Sequence, residues 1–274
     1  MYVSEAQADP SSWWKHYRAA WCLNRLDQPD SARCYARRAF YLAPGEEKAL
    51  SELMRSLASE PESVLTYSHL VSGGGVCRYR LARAELDLNR YAESSIQWLT
   101  EASANSDSAK AADACCWLWI LTGRSDLELI EKASALAPDE EFYRGMLVEA
   151  LVDSEKIERA ASEFERMTDR SSFSYWSTAS ELHWAEGLHD LSVDDCRKAF
   201  NMRQIPSTAA DLGWRLYFRS RELIEAGSMQ KAEILLRECS GLWSAESSWA
   251  LRADSLINSL NEFTSVNGDY GEPF

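Results

Sequence analysis

Four histidines, seven cysteines and one triglycine segment are the residues of this chain with the clearest capacity for chemistry. His183 and His189 lie near Asp190, Asp194 and Asp195, a set that offers imidazole nitrogen and carboxylate oxygen to a metal ion. A spacing of six residues puts the two rings on opposite sides of a continuous helix, however, and Gly187 sets a turn between them. No metal site is expected. Cys115 and Cys116 are vicinal, but adjacent helical residues point apart, and the flanking Trp117, Leu118 and Trp119 mark a core segment. Ser72-Gly73-Gly74-Gly75 has the backbone freedom to cradle an anion, yet it lacks a P-loop lysine or a GxGxxG spacing and reads as a flexible linker. HExxH and GxSxG are absent too. The expectation is a protein that is not an enzyme and has no cofactor. A helical-repeat enzyme or accessory subunit with a site near His183 and His189 is the alternative.

Charge narrows the partners. Lys and Arg number 29 against 43 Asp and Glu, a net charge of −14 that repels nucleic acid. Residues 1 to 100 hold 12 basic and 12 acidic side chains, whereas residues 101 to 274 hold 17 and 31. An anionic ligand is therefore directed to the first third. The seven cysteines (Cys22, Cys34, Cys77, Cys115, Cys116, Cys196 and Cys239) contain no CxxC pair and read as free thiols of a reducing, cytoplasmic compartment. No basic-then-apolar leader opens the sequence, and its longest apolar run, Ala114 to Leu121, is eight residues against the ~20 of a membrane span. No membrane insertion is expected.

The elements that must position any site are helices. Only 12 Gly and 7 Pro interrupt 274 residues of which 46% are hydrophobic, and apolar side chains recur at helical spacing. Trp13 to Leu26 forms one helix, Asp27-Gln28-Pro29-Asp30 turns the chain, and Ser31 to Ala43 forms a second helix that ends at Pro44-Gly45. Arg78-x2-Leu81-Ala82-x2-Glu85, Arg144-x2-Leu147-Val148-x2-Leu151 and Trp176-x2-Ala179-Ser180-x2-His183 open further pairs, and Ala32, Ala160 and Ala232 sit early in second helices. Units aligned on that early residue fall at 32, 66, 94, 126, 160, 192 and 232, with gaps of 34, 28, 32, 34, 32 and 40.

With this period, Ala160-x3-Phe164 and the Trp176-x2-Ala179-Ser180-x2-His183 spacing, the chain resembles over residues 12 to 240 the tetratricopeptide repeat (TPR) family, whose 34-residue unit reads W-x2-L-G-x2-Y, then A-x3-F, then P, although no single unit here carries the full pattern. The resemblance implies an all-α, right-handed α-α superhelix: a TPR-like solenoid of about seven helix pairs plus a C-terminal capping helix. The expected layout is a lead over 1–11, the solenoid over 12–242 with its glycine run at 72–75, a cap over 243–266 and a disordered tail over 267–274. It further implies a scaffold or adaptor that binds a peptide or partner protein in a groove lined by the first helix of each pair. Carried over by repeat phase, the groove positions are Trp14, Tyr17, Trp21, Asn24, Arg25, Lys48, Ser51, Arg55, Tyr79 and Arg83 in the first three units, none of them acidic. Glu149, Asp153, Glu181 and Trp184 hold the equivalent places further on. The partner expected is another protein or peptide segment.

Overall fold

The computed structural model describes residues 1–71, 75–105, 107–242 and 248–267, the side chains of 105, 248, 249 and 261–267 excepted. Most of the glycine run, the start of the expected cap and the expected tail lie outside these residues. Among the described residues there are sixteen α-helices and no strand. They run α1 (Tyr2–Ala8), α2 (Trp13–Arg25), α3 (Pro29–Leu42), α4 (Glu47–Ser56), α5 (Pro61–Leu65), α6 (Gly75–Asp87), α7 (Glu93–Asn105), α8 (Ser108–Leu121) and α9 (Leu127–Leu136). The chain continues with α10 (Glu141–Asp153), α11 (Ile157–Phe164), α12 (Phe173–Ala185), α13 (His189–Met202), α14 (Pro206–Glu225), α15 (Met229–Gly241) and α16 (Ser248–Asn267). Two compact units result, Met1–Tyr143 and Arg144–Phe274.

One turn chemistry builds six of the pairs. Asp27, Asn89, Gly123, Glu155, Gly187 and Gly227 all take φ between 53° and 77° at the end of a first helix. In each case the next residue donates its N–H to a carbonyl five residues back: Gln28 to Leu23, Arg90 to Glu85, Arg124 to Trp119, Lys156 to Leu151, Leu188 to His183 and Ser228 to Leu223, at 2.7–2.9 Å. This left-handed cap satisfies end carbonyls and reverses the chain. Sequence alone marks the position where it is Gly or Asn; Asp27 and Glu155 carry no such mark.

After the turn, small or slim residues at three helical positions let the two helices of a pair approach. Ala32, Ala36 and Ala39 are fully buried in α3, as are Ala232, Leu236 and Cys239 in α15. Ser192, Cys196 and Ala199 fill the same places in α13. In α7 the set is Ser95, Leu99 and Ala102, one residue later than the expected Ser94, because the α6–α7 turn carries an extra residue. In the second pair the buried residue is Val64 and not Thr66, which is exposed. The buried repeat positions are thus 32, 64, 95, 130, 160, 192 and 232, the expected position 126 being exposed, and the expected short gap of 28 disappears. Asp126 is not small because it caps α9, accepting the Glu128 N–H at 3.1 Å.

In the N-terminal unit Leu50, Leu53, Met54, Leu57, Val64, Cys77 and Leu81 form one core cluster, and Leu86, Leu99, Ala114 and Leu118 another. In the C-terminal unit Leu212, Leu216, Leu236 and Cys239 pack with Ala253, Ile257 and Leu260 of α16. That helix covers α15 and the apolar side of the last pair, the service a terminal repeat needs.

The approach of α10 to α12 is the closest to a limit. A Cβ on Gly145 would stand 2.6 Å from Thr178 Oγ1 and 3.0 Å from Ser174 Oγ. Helix propensity favours Ala over Gly by ~1 kcal/mol, but overpacking against a stiff Thr costs ~1–3 kcal/mol. Gly145→Ala is expected to lower stability in urea denaturation, and Thr178→Ala added to it to restore most of the loss.

The thiols divide sharply. Burial pushes Cys77 up to about 12 and Cys196 and Cys239 up to about 11, and it raises Cys115 as well. Cys34 is exposed and Cys22 half-buried. Maleimide at neutral pH should therefore add to at most these two in the native protein and to all seven cysteines in denaturant, read by intact mass.

Candidate functional site

The first helices of the N-terminal unit turn one face to the core and the opposite face to a cleft. On α2 the core side carries His16, Ala19 and Ala20, which leaves Tyr17 and Trp21, one turn apart, on the other. On α4, Ala49, Leu50 and Leu53 are buried while Lys48, Ser51, Glu52 and Arg55 line the cleft. Val76 and Arg80 of α6 and Lys110 of α8 complete a cavity of about 440 Å³. A second of about 640 Å³ shares Trp21, Arg55, Arg80, Asp107 and Lys110 and adds Arg25, Tyr79, Asp113 and Tyr143. The two form one cleft across α2, α4, α6 and α8.

Its aromatics are held by cations. The Arg25 guanidinium lies 4.4 Å from the centre of the Trp21 ring, and Trp14, 43% exposed, stacks on Tyr17 at 5.1 Å with Lys48 Nζ 5.8 Å from its ring. Tyr79 donates its hydroxyl to Asp113 at 2.6 Å. Burial first, and then Asp113, push the Tyr79 phenol far up, and the same causes take Tyr143 to about 12, so both remain hydroxyl donors at neutral pH.

Carboxylates are present as well, although none of the expected groove positions in the first three units is acidic. Glu47, Glu52, Asp107 and Asp113 line the cleft beside Arg25, Lys48, Arg55, Arg80 and Lys110. Most are matched internally. Glu52, 5% exposed, accepts from Asn24 Nδ2 at 2.6 Å and faces Arg55 at 3.8 Å, and Asp107 pairs with Lys110. Arg80 differs. Its Nε donates to Ser51 Oγ at 3.2 Å, and burial draws its guanidinium below the usual arginine range.

Of the expected groove residues, Tyr17, Trp21, Arg25, Lys48, Ser51, Arg55 and Tyr79 line this cleft. Trp14 borders it and Asn24 holds Glu52 in place. Arg83 does not line it, reaching Asp87 and Asp113 and covering the Trp117 ring at 4.8 Å. Arg80 and Lys110 were missed. Val76-x3-Arg80 repeats the spacing of Tyr17-x3-Trp21 and was the available signal.

Glu149, Asp153, Glu181 and Trp184 belong to the C-terminal unit. There Glu181 is bound at 2.6 Å to Arg215, whose side chain is 3% exposed, and Trp184 stacks on His189 at 4.2 Å and leans on Trp214 at 4.8 Å. The histidine set does not converge. His183 Nδ1 pairs with Asp195 at 2.8 Å, His189 Nδ1 with Glu222 at 2.7 Å, and Asp194 with Arg197 at 2.6 Å. Among the described residues no group of three or more His, Cys, Asp and Glu is placed to hold a metal ion, and no helix is long and apolar enough to cross a membrane.

No protein family profile and no curated protein matches the sequence. The fold does have solved counterparts. Cut9, from the crystal structure of the APC/C hetero-tetramer Cut9-Hcn1, superposes with a TM-score of 0.60 at 10% identity over 94% of this chain and 51% of its own. Yeast Tom70 gives 0.47 at 12% identity over 98% and 59%, and a tetratricopeptide repeat protein of Parabacteroides merdae gives 0.38 at 9% over 92% and 98%. The chain spans about half the length of the Cut9 chain it matches. The helix pairs, the repeat period and the likeness to Cut9 together define an all-α, tetratricopeptide-repeat fold.

Proposed function

We propose that this protein is a non-enzymatic interaction scaffold that holds an extended segment of a partner protein in the cleft of its N-terminal unit. One observation carries the reading: successive first helices bring Tyr17, Trp21, Lys48, Arg55, Arg80 and Lys110 to a single concave surface. Rigid aromatics flanked by arginine are the residue types that dominate binding hot spots, and a cleft crossing four helices suits an extended chain. Cut9, which has the same fold, is seen in a hetero-tetramer with Hcn1. Free, mostly buried thiols suit a cytoplasmic setting. The lining, five cations against four carboxylates, suits a segment of mixed charge rather than a polyanion such as nucleic acid.

A displayed library of randomised peptides panned on the full chain tests the reading. Recovered peptides should bind wild type and lose affinity with Trp21→Ala. Failure to recover any, or recovery of binders indifferent to Trp21, would remove the cleft from the account.

A further inference from the structure

The second helix pair departs from its neighbours. Its second helix, α5, has five residues where α3 has 14 and α7 and α15 have 13, and only a short turn at Ser68–Leu70 follows. The shortened helix leaves a pocket of about 240 Å³ between α4, α5 and α6. Met54, Val64 and Ala84, none more than 4% exposed, form its floor, and Arg80 and Arg83 stand at its rim. Small-molecule sites occupy ~300–1,000 Å³, so this one suits a single side chain.

Arg80 links the pocket to the cleft, because it lines both. Arg83 already faces Asp87 at 3.6 Å and Asp113 at 3.9 Å. Arg80 has Ser51 Oγ on its Nε, and, among the described residues, Glu52 and Asp107 act on it electrostatically from beyond ion-pair distance. Its remaining N–H groups are a ready fork for a carboxylate.

We propose that the pocket beneath α5 is the specificity pocket of the cleft: it takes one Leu, Met or Phe side chain of a bound segment, while an acidic side chain nearby in that segment pairs with Arg80. This inference rests on the reading of the cleft as a peptide site. It commits to a partner with an apolar anchor and an acidic neighbour, and it derives from a feature that the other helix pairs of the N-terminal unit lack.

The same panning tests it with two variants. Ala58 is exposed at the mouth of the pocket, so Ala58→Trp fills it from outside the core. Arg80→Gln keeps a donor for Ser51 and removes the charge. Wild type should select peptides carrying a bulky apolar residue close to Asp or Glu. A synthetic copy of the best peptide should bind Ala58→Trp at least ~10-fold more weakly, the effect of withholding burial from one large side chain. Replacing the peptide's anchor by Ala should weaken wild type equally and Ala58→Trp little further. Arg80→Gln should abolish the preference for the acidic peptide over its amide analogue. Peptides that depend on Trp21 but lack either feature, or that bind Ala58→Trp unchanged, overturn this inference and leave the cleft standing. Peptides indifferent to Trp21 overturn both.

Discussion

Trp21→Ala is expected to raise the dissociation constant of a cleft-bound peptide by at least ~30-fold, the equivalent of ~2 kcal/mol, while the melting temperature stays close to wild type. The expectation follows from position. Trp21 lines both cavities of the cleft, its ring is braced by Arg25 at 4.4 Å, and it belongs to the face of α2 opposite the buried Ala19 and Ala20. Tyr2 to Ala8 packs as α1 against α2, so the first pair already has a cover and does not need Trp21 as one. If the indole acted as a cap, truncation would lower the melting temperature and leave the affinity of the folded fraction unchanged. Arg25→Glu offers a graded comparison: a rim charge acts on association rate and salt dependence more than on affinity.

The largest effect on stability should come from Trp119→Ala, a loss of ~3–5 kcal/mol in urea denaturation. Trp119 is the largest fully buried side chain, at 0% exposure, and the Arg124 guanidinium lies over its ring at 5.3 Å. Its indole nitrogen is buried without a hydrogen-bond partner among the described residues. Trp119→Phe keeps most of the packing and deletes that unmatched donor, so it should be far milder than Trp119→Ala. A chain of this kind has ~5–15 kcal/mol of stability in all, so the Ala variant should be partly unfolded under conditions that leave the Phe variant native.

The repeat was legible because one helix of each pair needs small residues where its partner crosses, and Ala32, Ala36, Ala39 and Ala232 display that need directly. Its exact register was not. A one-residue lengthening of the turn after Asn89 moved the buried position from Ser94 to Ser95, and nothing in the local composition of Arg90-Tyr91-Ala92 announces an insertion. The shortened α5 escaped for a related reason. Glu46 to Ser72 fits the repeat grammar less well than the other units, and a looser fit does not say which helix has lost residues.

The site was half legible. Tyr17, Trp21, Lys48 and Arg55 follow from repeat phase, since a first helix that buries one stripe must offer the opposite one to the cleft. Glu52 sits on that stripe beside Lys48 and Arg55, but its role as a buried partner of Asn24 requires knowing that α2 and α4 lie side by side. Lys110 was hidden by the apolar composition of α8, in which only Ser108, Lys110 and Asp113 are polar or charged among Ala, Cys, Trp, Leu and Ile. The five-residue set of His183, His189, Asp190, Asp194 and Asp195 divided: His183 keeps only Asp195, while His189 takes Glu222 and Asp190 and Asp194 take arginines.

Photocrosslinking tests the central claim most directly. p-Benzoylphenylalanine placed at Lys48, exposed at the edge of the cleft on α4, should crosslink to the peptide selected by wild type; placed at Tyr41, 77% exposed on α3, it should not. Crosslinking from position 41 with none from position 48 would contradict the account, because it would put the partner on the second helices and not in the cleft.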